Sequence, residues 1–191
     1  PGKTHTVEFA FGGIGTNPHW PTPRNPWDMT HHRAPGGSSS GAGVSLHEGS
    51  AAIAFGTDTG GSVRVPASYT GNVGLKTTKG RWSTDGITIL STSFDTPGIL
   101  AKSMTDIAFG FAAIDPSARV AGSSLIEPRD IKGLRIGTTK DYFWDECQDD
   151  IADVVQNTIR ELRDSGAKTS NIPMPEAATS IQVWGDGAIV A

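Results

Sequence analysis

The stretch that most constrains the fold is a glycine-rich turn placed directly after a short apolar run. The run covers residues 51–55 and suits a buried strand. Three glycines follow within residues 56–61, so that the backbone can take conformations closed to other residues and a substrate can approach closely. If the N–H groups of this turn converge, they form a site for the negative oxygen that arises when Ser62 attacks a carbonyl. These donors belong to Thr59, Gly60, Gly61 and Ser62.

A turn of this composition can also be purely structural, and an isolated Gly-Gly-Ser is best explained that way. A second cluster, Gly36-Gly37-Ser38-Ser39-Ser40-Gly41, precedes it and opens a predicted helix. This helix and the strand at 51–55 separate the two glycine–serine turns. Two such turns around one helix–strand unit are hard to explain as solvated loops alone, so we predict that both contribute to one site.

Three segments of the chain together resemble the amidase signature family. They are Gly36 to Gly41, Gly56 to Pro66, and Gly74-Leu75-Lys76-Thr77-Thr78-Lys79-Gly80-Arg81. The third is similar to the family's Gly-Leu-Lys-Pro-Thr-x-Gly-Arg, with Thr77 where proline is usual. Looser similarity runs from Gly2 to Ala108, so the resemblance covers more than half of the chain.

The resemblance implies an amidase that uses a Ser, cis-Ser and Lys triad. By motif position Ser62 matches the nucleophile, and Ser38 matches the bridging serine, which follows a cis peptide bond. The family's lysine base lies several tens of residues further upstream of Ser38 than this chain extends, and Lys3 is too close to match it. We therefore expect residues 1–191 to be the central part of a single incomplete amidase domain, inactive by itself.

For the fold, the resemblance implies the α/β class, with a mixed β-sheet core sandwiched between helices. The hydrophobic pattern predicts helices at about 39–50, 63–69, 103–115 and 149–165, and strands at 51–55, 73–75, 134–137 and 167–172. The order of the last three elements predicts a parallel strand pair. Residues 81–98 are rich in Ser, Thr, Asp and Gly and predict a long loop with brief extended pieces.

Asp58 and Arg64 bracket the proposed nucleophile Ser62. We predict that they form a buried ion pair that fixes the turn. Direct proton transfer is disfavoured because arginine does not lose its proton. Both residues therefore have a supporting role.

Composition limits the partners and the location. The net charge of −4 and the lack of a Lys/Arg cluster argue against nucleic acid as a partner. The lone Cys147 cannot form an internal disulfide, and no apolar run approaches the roughly 20 residues of a membrane span, so we expect a cytoplasmic protein without membrane contact.

His31-His32 lacks the companions of a metal site, and we expect neither metal nor cofactor. The expected partner is a small-molecule amide substrate, and homo-oligomer formation stays open.

Two rival motifs fit less well. Gly37-Ser38-Ser39-Ser40-Gly41 matches the Gly-x-Ser-x-Gly elbow with Ser39 as nucleophile, but that motif needs a strand before it, and residues 29–35 are polar and end in proline. Ser165 and Lys168 match Ser-x-x-Lys, a motif that opens a helix, whereas Gly166 closes a predicted one.

Two alternatives to a free-standing amidase stay open. The chain could belong to the glutaminase subunit of a tRNA-dependent amidotransferase, which would need ammonia-channel partners. It could also be a non-catalytic fold module, since the lysine base is missing from residues 1–191.

Overall fold

The computed structural model describes residues 2–118, 127 and 129–185. Contacts within the chain divide it into two compact units, with the division between Glu127 and Pro128. The expectation of one incomplete domain over residues 1–191 stays a prediction. None of the described helices has both the length and the apolar character needed to cross a lipid bilayer.

The first unit is built on a three-stranded antiparallel sheet. Its strands are β1 (Ile53–Asp58), β2 (Val73–Lys76) and β3 (Thr96–Ala101). Ala101 stands opposite Ile53 of β1 on one side and opposite Val73 of β2 on the other. The third strand in the chain is therefore the central strand of the sheet.

Three helices cover the two faces of this sheet. They are α1 (Ser40–Glu48), α2 (Arg64–Thr70) and α3 (Met104–Ile114). Leu100 of β3 is buried in a cluster with side chains of α1 and α2. Its neighbours Ile99 and Ala101 pack against Ile107 of α3. Successive side chains of a strand point to opposite faces, so α3 lies across the sheet from α1 and α2, and the expected α/β sandwich is confirmed.

The ends of these helices follow the sequence closely. α1 ends at Gly49, which adopts a left-handed conformation with φ of 78°. α3 begins after Ser103, whose hydroxyl accepts the N–H of Asp106 at 3.1 Å. Pro66 lies in the first turn of α2, where a missing N–H costs little. These capping residues therefore place the helix boundaries within one or two residues of the predicted ones.

Residues 96–98, predicted as the end of a loop, are instead the start of the central strand β3. The sequence Thr-Pro-Gly has the composition of a turn. In the structure, however, a Cβ atom on Gly98 would lie 2.6 Å from the carbonyl oxygen of Leu75. Gly98 thus allows two strands to approach closely, and the loop prediction is wrong at this end.

The second unit contains a parallel pair of strands, β4 (Arg135–Thr138) and β5 (Lys168–Asn171), with Arg135 opposite Lys168. The helix α4 (Asp149–Asp164) joins them, and a further helix, α5 (Glu176–Gly185), follows. The predicted strand–helix–strand order and parallel pairing are confirmed, whereas α5 was not predicted. The apolar stripe of α4 is not buried by the described residues, since Ile151 is 55% exposed and Val154 is 64% exposed.

Candidate active site

The two glycine–serine turns predicted to share a site lie against each other in the first unit. The N–H of Ser39 donates to the carbonyl oxygen of Ser62 at 3.2 Å. Gly36 has φ of 79°, and a Cβ atom on it would lie 2.8 Å from the Cα atom of Pro66. Main chain therefore packs directly on main chain, and this contact requires glycine at position 36.

Ser38 is held in place by its backbone. The peptide bond between Gly37 and Ser38 is cis, as the resemblance implies. The carbonyl oxygen of Ser38 accepts the N–H of Val7 at 3.0 Å, and the residue is only 1% exposed. The segment around Val7, which precedes α1 in the chain, thus supports the turn from its other side.

Ser62 lies in the turn between β1 and α2 and is partly exposed. The preceding Gly61 has φ of 132°, a conformation that side chains with a Cβ rarely adopt, and its carbonyl oxygen accepts the N–H of Val65 at 2.6 Å. Within residues 2–118 neither the Ser62 hydroxyl nor the Ser38 hydroxyl makes a hydrogen bond. The structure therefore brings the two turns together without joining the two hydroxyl groups.

Asp58 anchors the turn that carries Ser62. Its side chain is fully buried and accepts the N–H of Gly61 at 2.7 Å and the N–H of Val63 at 3.2 Å. The guanidinium of Arg64 binds both carboxylate oxygens, each at 3.0 Å. The ion pair predicted between Asp58 and Arg64 is thus present, although the Arg64 side chain remains 55% exposed.

The environment of Asp58 fixes its charge. Burial alone would raise the pKa of Asp58, but the hydrogen bonds and charge of Arg64, together with the N–H groups of Val63 and Gly61, outweigh it and hold the pKa below its usual value. At neutral pH the carboxylate is therefore ionised. It accepts hydrogen bonds and has no proton to give to a substrate, in agreement with a supporting role.

The donors available for an oxyanion differ from the predicted set. Four consecutive N–H groups were expected to converge, but that of Gly61 already donates to Asp58. The N–H groups of Thr59, Gly60 and Ser62 make no hydrogen bond within residues 2–118. These three remain the candidate donors.

Ser38 and Ser39 line a cavity of about 390 Å³. The other lining residues come from the N-terminal segment, from β1 and from the loop before β3, and they are Thr6, Val7, Phe9, Ala10, Gly56, Thr57, Ile87 and Thr88. Ser62 is not among them. The cavity therefore gives access to the proposed bridging serine, and its wall includes part of the loop over 81–95.

Asp95 is a site residue that the sequence did not indicate. Its buried carboxylate accepts the hydroxyl of Thr59 at 2.5 Å, across a sequence separation of 36 residues. No motif or spacing links these two positions, since they meet only when β3 pairs with β1. The residue next to the glycine turn is thus tied to the loop that lines the cavity.

His5 is a second residue that sequence reasoning missed. Its Nδ1 atom is 2.7 Å from the hydroxyl of Ser40, and its carbonyl oxygen accepts the N–H of Gly41 at 2.8 Å. Burial lowers the pKa of His5. Because Ser40 follows Ser38 and Ser39 directly, His5 braces the start of α1 beside the site.

Comparisons with known proteins point to one family. A family model described as Amidase matches residues 1–188. The chain is 50% identical to 2-amino-5-chloromuconic acid deaminase of Comamonas testosteroni over 190 residues, which is 100% of this chain and 41% of that protein. It is 40% identical to a glutamyl-tRNA(Gln) amidotransferase subunit of Clostridium kluyveri, covering 93% of this chain and 38% of that protein. The chain thus spans about two fifths of the length of these relatives.

Solved structures show the same fold. The crystal structure of a glutamyl-tRNA(Gln) amidotransferase subunit from Thermotoga maritima superposes with a TM-score of 0.81 at 26% identity, over 99% of this chain and 43% of that one. The native peptide amidase of Stenotrophomonas maltophilia superposes with a TM-score of 0.78 at 29% identity, over 95% of this chain and 40% of that one. Motif, fold and overall similarity agree, and the chain belongs to the Amidase family.

Proposed function

We propose that the protein hydrolyses the C–N bond of a carboxylic amide through an ester formed on Ser62. The observation that carries the proposal is the contact between the two glycine–serine turns, in which Ser39 donates to the Ser62 carbonyl at 3.2 Å. Family membership supports the same chemistry. The 50% identical relative is named a deaminase, a type of enzyme that also acts at a C–N bond.

In the first half of the reaction, the Ser62 oxygen attacks the amide carbonyl carbon. A serine hydroxyl is a weak nucleophile until a base removes its proton. In our proposal Ser38 accepts that proton and passes its own to a neutral lysine. The carbonyl oxygen becomes negative and is held by the N–H groups of Thr59, Gly60 and Ser62, and one such donor typically lowers the barrier by about 3 kcal/mol.

In the second half, the tetrahedral intermediate collapses. The lysine returns its proton through Ser38 to the leaving nitrogen, and the C–N bond breaks to release ammonia or an amine. Water then attacks the ester on Ser62, with the same groups removing and returning a proton. The carboxylic acid leaves and the free serine is restored.

The lysine base lies outside the described residues in this proposal. Lys76 and Lys79 donate to the carbonyl oxygens of Thr77 and Asp95, and neither contacts Ser38. A free lysine has a pKa of about 10.4, so only about one molecule in a few thousand is neutral at pH 7. The base must therefore be buried, because desolvation lowers its pKa. The proposal also requires that a bound substrate bring the hydroxyls of Ser38 and Ser62 into contact, since catalytic hydrogen bonds are often long or absent in empty sites.

The proposal is tested by labelling the intact protein with a fluorophosphonate and mapping the modified peptide. We expect the label on Ser62, no label after Ser62→Ala, and turnover lowered by orders of magnitude after Ser38→Ala. Ser68→Ala is the matched control, since Ser68 is an exposed serine of α2 and should leave labelling and turnover unchanged. If the wild-type protein turns over amides without labelling at Ser62, the assignment is wrong. If it neither labels nor turns over amides, the non-catalytic alternative is favoured.

A second candidate is the glutaminase subunit of a tRNA-dependent amidotransferase. The similarity to glutamyl-tRNA(Gln) amidotransferase subunits, at 40% identity to one relative and with a TM-score of 0.81 to a solved example, favours it. This function requires partner proteins that use the released ammonia. Hydrolysis of glutamine that depends on co-purifying partners would support it, whereas hydrolysis of other amides by the protein alone supports the amidase.

We also propose a cytoplasmic location, supported by the single cysteine, which suits a reducing compartment. The sequence leaves homo-oligomer formation open. Fractionation of the native cells and light scattering of the purified protein would test the two statements separately.

A further inference from the structure

Asp95 has three donors converging on a buried carboxylate. One oxygen accepts the hydroxyl of Thr59 at 2.5 Å. The other accepts the N–H groups of Leu90 at 2.8 Å and Ser91 at 3.0 Å. The residue is only 5% exposed, so these bonds replace water almost completely.

These bonds connect two parts of the proposed site. Thr59 directly precedes the Gly60-Gly61-Ser62 turn and is itself 7% exposed. On the other side, the loop held by Asp95 continues back to Ile87 and Thr88, which line the cavity that contains Ser38. A single carboxylate thus sets the position of the first candidate oxyanion donor relative to the cavity wall.

We infer that Asp95 is a positioning residue for the oxyanion site and that it acts through Thr59. The inference rests on the proposed function. Thr59 is β-branched, so fixing its hydroxyl fixes the side-chain rotamer and, through it, the peptide unit that bears the N–H. Small displacements matter here, because a catalytic group misplaced by about 1 Å can cost about 100-fold in rate.

The hydrogen bonds of Asp95 require that both oxygens of its side chain act as acceptors. An amide at position 95 could still accept the two backbone N–H groups through its oxygen. Its NH₂ group would then face the Thr59 hydroxyl. In the wild type this hydroxyl donates to Asp95, so in the variant two donors would meet and the Thr59 hydroxyl hydrogen would have no acceptor. Asp95→Asn therefore reverses the polarity of one bond and preserves the shape of the side chain.

Four variants of the intact protein separate this role from a general effect on folding. Thr59→Val removes the hydroxyl at nearly constant shape, and Thr59→Ser keeps the hydroxyl. Asp95→Asn changes the other partner. Ser93→Ala is the matched control, because Ser93 lies in the same loop, is exposed, and makes no hydrogen bond in the described part of the chain.

We expect Thr59→Val and Asp95→Asn each to lower kcat by about 10-fold to 100-fold with KM changed less than about threefold, because the bond acts on the transition state. Thr59→Ser should retain most of the rate and Ser93→Ala all of it. The double variant should be no slower than the slower single variant, because both changes break the same bond.

Binding of a peptide-like aldehyde, which forms a tetrahedral adduct with a catalytic serine, supplies a second readout. Its affinity should fall by about the same factor as kcat/KM, while the affinity of an unreactive alcohol analogue stays constant.

Unchanged kcat and aldehyde affinity in Thr59→Val would overturn the inference even if Asp95→Asn fails to fold. If the wild-type protein is still labelled on Ser62 by the fluorophosphonate, this result refutes the role of Asp95 and leaves the proposed function intact. Absence of labelling in the wild type would instead refute the function itself.

Discussion

The guanidinium of Arg64 binds the carboxylate of Asp58 through two parallel hydrogen bonds, each 3.0 Å long, across the turn that carries Ser62. The same carboxylate accepts the N–H of Gly61. The buried carboxylate of Asp58, at the start of the turn, therefore holds both the middle of the turn at Gly61 and its end at Arg64. The shape of the turn thus depends on Asp58 before any substrate is present.

Replacing Asp58 by asparagine should destabilise the fold and slow the reaction. The amide keeps one acceptor oxygen and places donors against the N–H groups and the guanidinium. We expect a loss of about 2 kcal/mol in the free energy of unfolding, less than the roughly 3–5 kcal/mol usual for a broken buried ion pair, because the Arg64 side chain is 55% exposed.

Urea unfolding followed by circular dichroism measures this loss. Arg33→Ala is the control, since the ion pair of Arg33 with Asp28 involves an arginine side chain that is 66% exposed, and its loss should cost less than about 1 kcal/mol. If the free energy of unfolding falls equally in Asp58→Asn and Arg33→Ala, the ion pair of Asp58 stabilises the fold no more than an exposed pair does.

Glycine at position 36 should be required by the contact between the two turns. Alanine at this position would place its Cβ atom 2.8 Å from the Cα atom of Pro66 and push Ser38 away from Ser62. We predict that Gly36→Ala lowers kcat by at least about 10-fold.

Gly80→Ala is a close control for this prediction. Gly80 has the same φ of 79°, but a Cβ atom there would meet nothing within 4 Å. Steady-state kinetics of both variants separate the clash from the cost of a left-handed alanine. If Gly80→Ala is as slow as Gly36→Ala, the contact between the turns is not the cause.

Asp115 should make stability depend on pH. Its carboxylate accepts hydrogen bonds from Arg81 at 2.6 Å and Trp82 at 2.9 Å, and the Arg81 contact above all holds the pKa of Asp115 well below its usual range. The folded-state pKa is thus lower than the unfolded value of about 3.9. The pairing therefore stabilises the fold above about pH 4 and loses this effect as the pH falls further.

We expect the urea midpoints of the wild type and Asp115→Asn to differ most at pH 7 and to approach each other only as the pH falls below about 4, towards the lowered pKa of the folded state. Asp85→Asn is the control, because the exposed Asp85 side chain makes no hydrogen bond within residues 2–118. A difference between wild type and Asp115→Asn that stays constant with pH would contradict the prediction.

Local patterns were sufficient to predict most elements of the fold. The Ser103 cap, the Gly49 terminus and the apolar periodicity of α3 and α4 are properties of neighbouring residues, and they gave helices close to the observed ones. The central strand β3 was not predicted from the sequence. Its Pro97 and Gly98 have turn composition, and only pairing with β1 and β2 on both sides makes them part of a strand.

The same distinction applies to the site. Motif positions led to Ser38, Ser62, Asp58 and Arg64, because each lies in or next to a glycine–serine turn. Asp95 and His5 contact the site only through tertiary structure, at separations of 36 residues from Thr59 and 35 from Ser40. The competition of Asp58 for the Gly61 N–H also depends on three-dimensional geometry, so the sequence overestimated the number of free oxyanion donors.

The most direct test of the account is to trap the covalent intermediate. The intact protein is mixed with an activated amide, quenched in acid within its first turnover, digested and examined by mass spectrometry. We predict that the peptide containing Ser62 gains the mass of the acyl group and that this adduct disappears in Ser62→Ala. An acyl group found on another residue, or turnover in Ser62→Ala at the wild-type rate, would contradict the central claim.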